Sequence, residues 1–192
     1  YKVNLFVEPG VESDTNIYKS LDTQVEKLED EGRIKKILAR AGMQIDLGGG
    51  AALEILFPEK DVSGWETNTA SIVARLVYGE NEFLLTGDSP SAIENYLVNK
   101  YRSQGESFKL GLQSDVLKLG HHGSKTSSSD NFVRAVNPEY AIVSAGKDNR
   151  YGHPHQEVID LLDKLNIKTL RTATDGRIIF KSDGVNLKIT HP

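Results

Sequence analysis

The sequence predicts a layered α/β domain with a mixed sheet, and three observations predict it. Strand and helix periods alternate through the second half of the 192 residues, and the middle third is rich in strands joined by tight turns. No linker, repeat or low-complexity tract interrupts the chain, so its length is that of one domain with a sizeable core.

The elements follow in order. "YKVNLFVE" sets Val3, Leu5 and Val7 in strand alternation, and "TNIYKSLDTQVEKLEDEG" spaces Ile17, Leu21, Val25 and Leu28 as one stripe of a helix. "RIKKILARAGMQIDLGGGAALEILF" reads as short strands around a turn at Gly48, Gly49 and Gly50. "TASIVARLVYGENEFLLTGD" is a hairpin turning at Gly79-Glu80-Asn81 and ending at Asp88. A helix from about Pro90 to Tyr101, a polar loop of about a dozen residues and the buried strand "DVLKLG" come next. The serines of "SSSDNFVRAV" are expected to cap a short helix, and "EYAIVSAG" is a strand. "HPHQEVIDLLDKLN" is a helix with proline in its first turn, "IKTLRTA" a strand, and "RIIFKSDGVNLKIT" a hairpin turning at Asp183-Gly184.

Composition excludes several classes of function. No apolar run approaches the roughly 20 residues that span a bilayer, and the mean hydropathy is -0.39. Cysteine is absent, which removes disulfides, thiolate nucleophiles and cysteine zinc sites. A net charge of -4 argues against a general nucleic-acid coat while leaving room for a local basic site. The first residues read as a strand already under way, so further residues are expected before them.

The chemistry-bearing residues lie at strand ends. Asp88 follows "FLLTG", His121 and His122 follow "DVLKLG", and His153 and His155 follow "AIVSAGKDNRYG". The carboxyl ends of strands are where α/β sheets collect ligands, and a carboxylate with several imidazoles suits Zn²⁺ or Mn²⁺. Each feature has a plainer reading: TGD is a common turn, His121 and His122 can sit in a surface loop, and His153 can cap the following helix. His191 is assigned to the tail. The recurrence of such residues after three successive strands is what favours a metal. Lys118, Lys125, Lys147 and Arg150 flank the same positions and can form a cationic rim for phosphates, with Ser124 in the same loop as a further substrate contact.

"FLLTGD", "DVLKLGHHGSKTSSSDNF", "AIVSAGKDNRYGHPHQEVIDLL" and "TLRTATDGRIIF" resemble, in that order, the later motifs of the metallo-β-lactamase superfamily, specifically the domain of ComEC-type DNA-uptake competence proteins. The resemblance runs over nearly the whole chain and also takes in "IDLGGGAALEILFPEK" and "NTASIVARLVYGENEFLL". It implies an αββα sandwich with mixed sheets and a two-metal site, at which bound water is activated and a phosphodiester clamped. On this resemblance Asp88 is the metal-bridging aspartate, His121 or His122 a ligand or proton donor, and His153 the histidine of the last motif. His155 is a neighbour with a catalytic role to be fixed, and Asn68 and Ser71 match polar positions close to the site.

One departure matters. The family's leading His-x-His-x-Asp-His run is absent from these residues, every histidine lying at or after position 121. Residues 1–192 are therefore expected to be the C-terminal part of a metallo-β-lactamase-like domain, a partial sandwich, holding one Zn²⁺ or Mn²⁺ or none where the intact domain holds two. Strand alternation is expected to turn one of the adjacent histidines inward, with His121 as ligand and His122 as proton donor. The implied activity is a DNA phosphodiesterase or nuclease of competence uptake, inactive in this fragment alone. Hydrolysis of an ester, thioester or lactam, and a non-catalytic interaction role, are the alternatives. DNA is the implied substrate, a membrane-spanning region of a parent protein the implied neighbour, and the outer face of the cytoplasmic membrane the implied location. The open edge at Val3, Leu5 and Val7 suggests a homodimer or swapped dimer.

Overall fold

The computed structural model describes residues 2–102 and 111–190. A seven-stranded sheet dominates, in the order β3 (Gln44–Gly48), β4 (Ala51–Phe57), β5 (Val73–Tyr78), β6 (Asn81–Leu85), β7 (Val116–Lys118), β8 (Tyr140–Val143) and β9 (Lys168–Arg171). From β3 to β6 neighbours are antiparallel, and from β6 to β9 they are parallel. Sequence order equals spatial order throughout. The hairpins need only short turns, whereas each parallel step needs a crossover, supplied by α2 (Ser91–Arg102), α3 (Asp130–Val136) and α4 (Gln156–Lys164).

These three helices cover one face of the sheet. Leu84, Leu117 and Ala141 are register partners across β6, β7 and β8, and all three are fully buried. Ile93, Leu97 and Val98 of α2, Phe132, Val133 and Val136 of α3, and Val158, Ile159 and Leu162 of α4 complete this core. The two inner strands of the parallel half, β7 and β8, are three and four residues long and mostly apolar, as strands buried under helices are.

Two smaller layers occupy the opposite face. β1 (Leu5–Glu8) and β2 (Lys35–Leu38) pair in parallel, joined by α1 (Asn16–Asp30), and Val7 packs against a cluster of Ala39, Ile55 and Ala74. The hairpin of β10 (Ile179–Ser182) and β11 (Leu187–Thr190) follows a short α5 (Thr172–Asp175), and Phe180 sets its ring edge-on against Phe83 and Tyr140. The result is the partial sandwich with mixed strands that the sequence predicts. No helix of the described residues is long and apolar enough to cross a membrane.

Several local expectations change. The α1 stripe buries only Val25, and Ile17 is 84% exposed, because this two-stranded layer offers the helix too little surface to cover its length. The last hairpin turns through four residues rather than two, since Asp183 Oδ1 accepts from the backbone N–H groups of both Val185 and Asn186. Pro154 precedes α4 instead of lying in its first turn. The polar loop expected after Tyr101 lies largely outside the described residues, as does His191.

The β10–β11 turn is docked on the β5–β6 turn. Glu80 N donates to Gly184 O at 2.6 Å, and Asn81 Nδ2 donates to Val185 O at 3.3 Å. Gly79 has φ +59°, and a Cβ there would lie 2.1 Å from Gly184 O. Gly64 also has positive φ, with nothing near its Cβ position. Gly79→Ala therefore combines a left-handed penalty with a backbone clash and should destabilise by about 2–5 kcal/mol, against about 1–2 kcal/mol for Gly64→Ala. Urea unfolding of the two variants checks this, and equal losses would contradict it.

Candidate active site

Asp88, the His121–His122 turn and the His153–His155 loop meet at the carboxyl ends of β6, β7 and β8. Gly87 O receives N–H groups from two directions: His121 N at 3.1 Å and Lys118 Nζ at 3.3 Å. Thr86 Oγ1 donates to Lys118 O at 2.9 Å, and Ser127 Oγ to Ser89 O at 2.8 Å. Asp88 N donates to Ser71 Oγ at 3.2 Å, and the carbonyl of Asn68 accepts from Ser71 N. Ser71 thus touches the aspartate's own backbone, while the contacts of Asn68 are with its loop.

Residues 120–123 form a 3-10 turn rather than a continuation of the strand. His121 and His122 both take left-handed backbone angles, φ 47° and 58°, conformations costing side-chain-bearing residues about 1–2 kcal/mol each. Strained non-glycine residues of this kind gather at functional sites. Because strand alternation stops here, neither imidazole turns away. The ring centroids of His121 and His153 are 5.5 Å apart, those of His122 and His153 6.4 Å, and those of His121 and His122 6.3 Å.

Backbone hydrogen bonds set the proton on the neutral rings of His122 and His155. His122 Nδ1 lies 2.6 Å from Ser144 O, and a carbonyl only accepts, so Nδ1 carries the hydrogen and Nε2 a lone pair. That Nε2 stands 3.7 Å from Asp88 Oδ1. His155 Nδ1 accepts from Lys125 N at 3.1 Å, so its hydrogen is on Nε2. His153 Nδ1 is 3.3 Å from His155 Nδ1, whose one in-plane lone pair is already taken by Lys125 N, so this contact does not set the His153 tautomer. Burial first, and then the neighbouring imidazoles, hold His153 below the usual histidine range against the opposing pull of Asp88. It is His122, not His121, that the geometry sets beside Asp88.

A carboxylate and an imidazole, both donor types that divalent cations accept, stand close together here. Two acceptors face each other at 3.7 Å, across His122 Nε2 and Asp88 Oδ1, and an imidazole with a fixed outer hydrogen bond is the usual metal-ready tautomer. Among the described residues, no three His, Cys, Asp or Glu side chains are already gathered tightly enough to enclose an ion.

Other predicted contacts fall differently. Lys118 is half-buried with its ammonium on Gly87 O, and burial pushes it below the usual lysine range against the pull of Asp88. It is a strut beneath the site rather than part of an exposed rim. Ser124 is buried, its Oγ 2.9 Å from Thr126 Oγ1, so it shapes the turn instead of facing a substrate. Lys125, Lys147 and Arg150 are exposed, the last lying over the Tyr151 ring.

Sequence reasoning missed three supports. Ser144 holds His122 through its carbonyl. Asn149 clamps His153, its Oδ1 accepting from His153 N at 2.9 Å and its Nδ2 donating to His153 O at 2.7 Å. Glu94, fully buried on α2, accepts from Ser128 N at 2.6 Å and Ser129 N at 2.9 Å. It replaces the expected serine caps: Ser129 is the N-cap of α3 but makes no side-chain capping bond. The signal was available, since Glu94 shares a helix face with Leu97 and Val98, three and four residues on. Burial pushes its carboxyl up, and the two backbone donors pull it back.

No protein-family model matches the chain. It is 40% identical over 114 residues to ComE operon protein 3 of Bacillus subtilis, the match covering 59% of this chain and 14% of that protein. It is 41% identical over 131 residues to competence protein ComA of Neisseria gonorrhoeae, covering 68% of this chain and 18% of that protein. With recombination protein 2 of Haemophilus influenzae it shares 34% identity over 129 residues, 67% of this chain and 15% of that one. The chain thus spans less than a fifth of the length of these curated relatives. Among solved structures it is similar to CmlA, a diiron beta-hydroxylase from Streptomyces venezuelae, with a TM-score of 0.51 at 12% identity over 86% of this chain and 36% of that one. At that identity the likeness shows the fold alone, which is the metallo-β-lactamase fold.

Glu94→Ala would leave two backbone N–H groups without their acceptor and a cavity behind α3. It should destabilise by about 2–4 kcal/mol, whereas alanine at exposed Glu157 should change stability by less than about 0.5 kcal/mol. Chemical denaturation distinguishes the two, and a Glu94→Ala variant of wild-type stability would show that the clamp is not needed.

Proposed function

From a chain homologous to ComEC-type competence proteins and built on the metallo-β-lactamase fold, we propose a metal-dependent hydrolase domain that cleaves phosphodiester bonds of DNA during competence uptake. The single observation carrying the reading is the convergence of Asp88, His122 and His153 at three adjacent strand ends, with an unprotonated imidazole nitrogen 3.7 Å from the carboxylate. Asp88, His122 and His153 would hold a Zn²⁺ or Mn²⁺ ion, with His121 the remaining nearby donor. When bound, such an ion supplies Lewis-acid activation of water and of a phosphoryl oxygen.

The chain's own groups do the rest. His155, with its hydrogen on Nε2, is placed to donate to a phosphate oxygen or a leaving oxygen. Lys125, Lys147 and Arg150 attract the phosphate chain to a protein whose net charge is otherwise -4. Lys118 balances the Asp88 charge from below. Fewer donors than a closed two-metal site needs are present, so one ion or none per chain is part of the proposal. So are a membrane-spanning parent protein and a position on the outer face of the cytoplasmic membrane.

Self-association belongs to the same reading. The outer edge of β1 is unpaired among the described residues, and Val3, Ile17, Leu21 and Leu38 are exposed around it. A chain that sediments only as a monomer at high concentration would remove this part.

A second reading has one observation behind it. The loose spacing of the metal-capable side chains also suits an interaction domain without catalysis. Calorimetric titration with Mn²⁺ and Zn²⁺ decides between them. The hydrolase reading expects up to one ion per chain, with affinity falling at least about tenfold in Asp88→Asn and His122→Ala and less in His121→Ala. Absence of binding, or binding indifferent to Asp88→Asn, would favour the non-catalytic role, and two tightly held ions would refute the one-ion limit.

A further inference from the structure

Apart from the histidine loops lies a second feature, a cleft of about 330 Å³ with the rings of Phe57, Trp65 and Tyr96 among its walls and Val62 and Ile93 beneath. Phe57, Val62 and Ile93 are buried, while Trp65 is half-buried and Tyr96 is 39% exposed. The rings do not satisfy one another by stacking. Trp65 is tilted 43° and Tyr96 64° from Phe57, with centroids 6.3 and 6.2 Å away. One cation and one carboxylate line the opening: Lys60 Nζ lies 5.7 Å from the Trp65 centroid, while Glu59 accepts from the Tyr96 hydroxyl and is paired with Lys100.

The cleft and the candidate active site are linked through the chain. Trp65 packs against the cluster of Val11, Val62 and Ala70, and Ala70 precedes Ser71, whose hydroxyl accepts from Asp88 N. Ile93 follows Asp88 by five residues, so the two cannot be more than about 18 Å apart. A strand with a phosphodiester at Asp88 and His122 has its next nucleotides within reach of the cleft.

We propose that this cleft is a base-stacking subsite, receiving the nucleobase of an unpaired nucleotide while Lys60 meets its phosphate, and hence that the domain engages single-stranded rather than duplex DNA. The inference rests on the phosphodiesterase reading and specifies its substrate. A small apolar cleft with two partly exposed aromatic rings matches one flat heterocycle. A paired base keeps its faces stacked in the duplex and cannot enter. Lys60 beside the Trp65 ring, with Glu59 already paired to Lys100, suits an occupant that is apolar in its ring and anionic in its backbone, which a neutral peptide side chain is not.

Trp65 is the only tryptophan of the chain, so its fluorescence reports this cleft. In metal-free buffer, a short oligothymidylate should quench it saturably, while an abasic strand of equal length and a blunt duplex should not. Tyr96→Ala should weaken binding of a labelled oligothymidylate by about 5- to 100-fold, with an unchanged circular dichroism spectrum. Lys60→Glu, at an exposed site, should weaken it and reduce its salt dependence. Quenching by the abasic strand or by the duplex equal to that by oligothymidylate, or wild-type affinity in folded Tyr96→Ala, would overturn the subsite. Because the readout needs neither metal nor turnover, its failure would leave the hydrolase reading standing, and failure of metal binding with quenching intact would remove that reading alone.

Discussion

A parallel ladder leaves the carboxyl ends of its strands on one side, and the pairing of β6, β7 and β8 is what places Asp88, His122 and His153 within reach of one another. The register through Leu84, Leu117 and Ala141 is held by the apolar core beneath the helices. Above it, Gly87 O fastens the first loop to the second by accepting from His121 N and Lys118 Nζ together. The second loop is fastened to the third by His155 N, which donates to Gly123 O at 3.0 Å. With the loops locked to one another, the left-handed cost at His121 and His122 is carried by a surrounding set of backbone bonds.

The same scaffold determines electrostatics. Ser144 O and the Lys125 N–H act on ring nitrogens that do not face an ion, and they choose which nitrogens keep lone pairs. A half-buried His153 stays neutral more readily than a solvated one, and the Asp88 charge acts on the Lys118 ammonium beneath it. Glu94 works at one further remove, holding the start of α3 and with it the end of the histidine turn.

Much of this was legible in the residues. The mixed sheet followed from the switch between hairpin turns and helical crossovers, and the site from polar residues recurring after apolar strands. What escaped notice was set by tertiary contact. The α1 stripe reads as a buried face, yet how much of it is buried depends on a layer only two strands wide. Lys118 and Ser124 look like substrate contacts in a linear motif, and only the fold shows that their polar atoms are spent on Gly87 O and Thr126. Ser144 acts through its carbonyl, which no side-chain pattern can reveal. Which of His121 and His122 stands nearer Asp88 depends on a left-handed 3-10 turn that strand alternation cannot anticipate.

The central claim is that backbone hydrogen bonds fix the His122 and His155 tautomers in the metal-free protein. Nitrogen-15 NMR of the histidine rings in the metal-free protein near neutral pH tests it directly. The account predicts hydrogen on Nδ1 of His122 and on Nε2 of His155. Hydrogen on Nε2 of His122, or rapid averaging between both nitrogens in both rings, would contradict it.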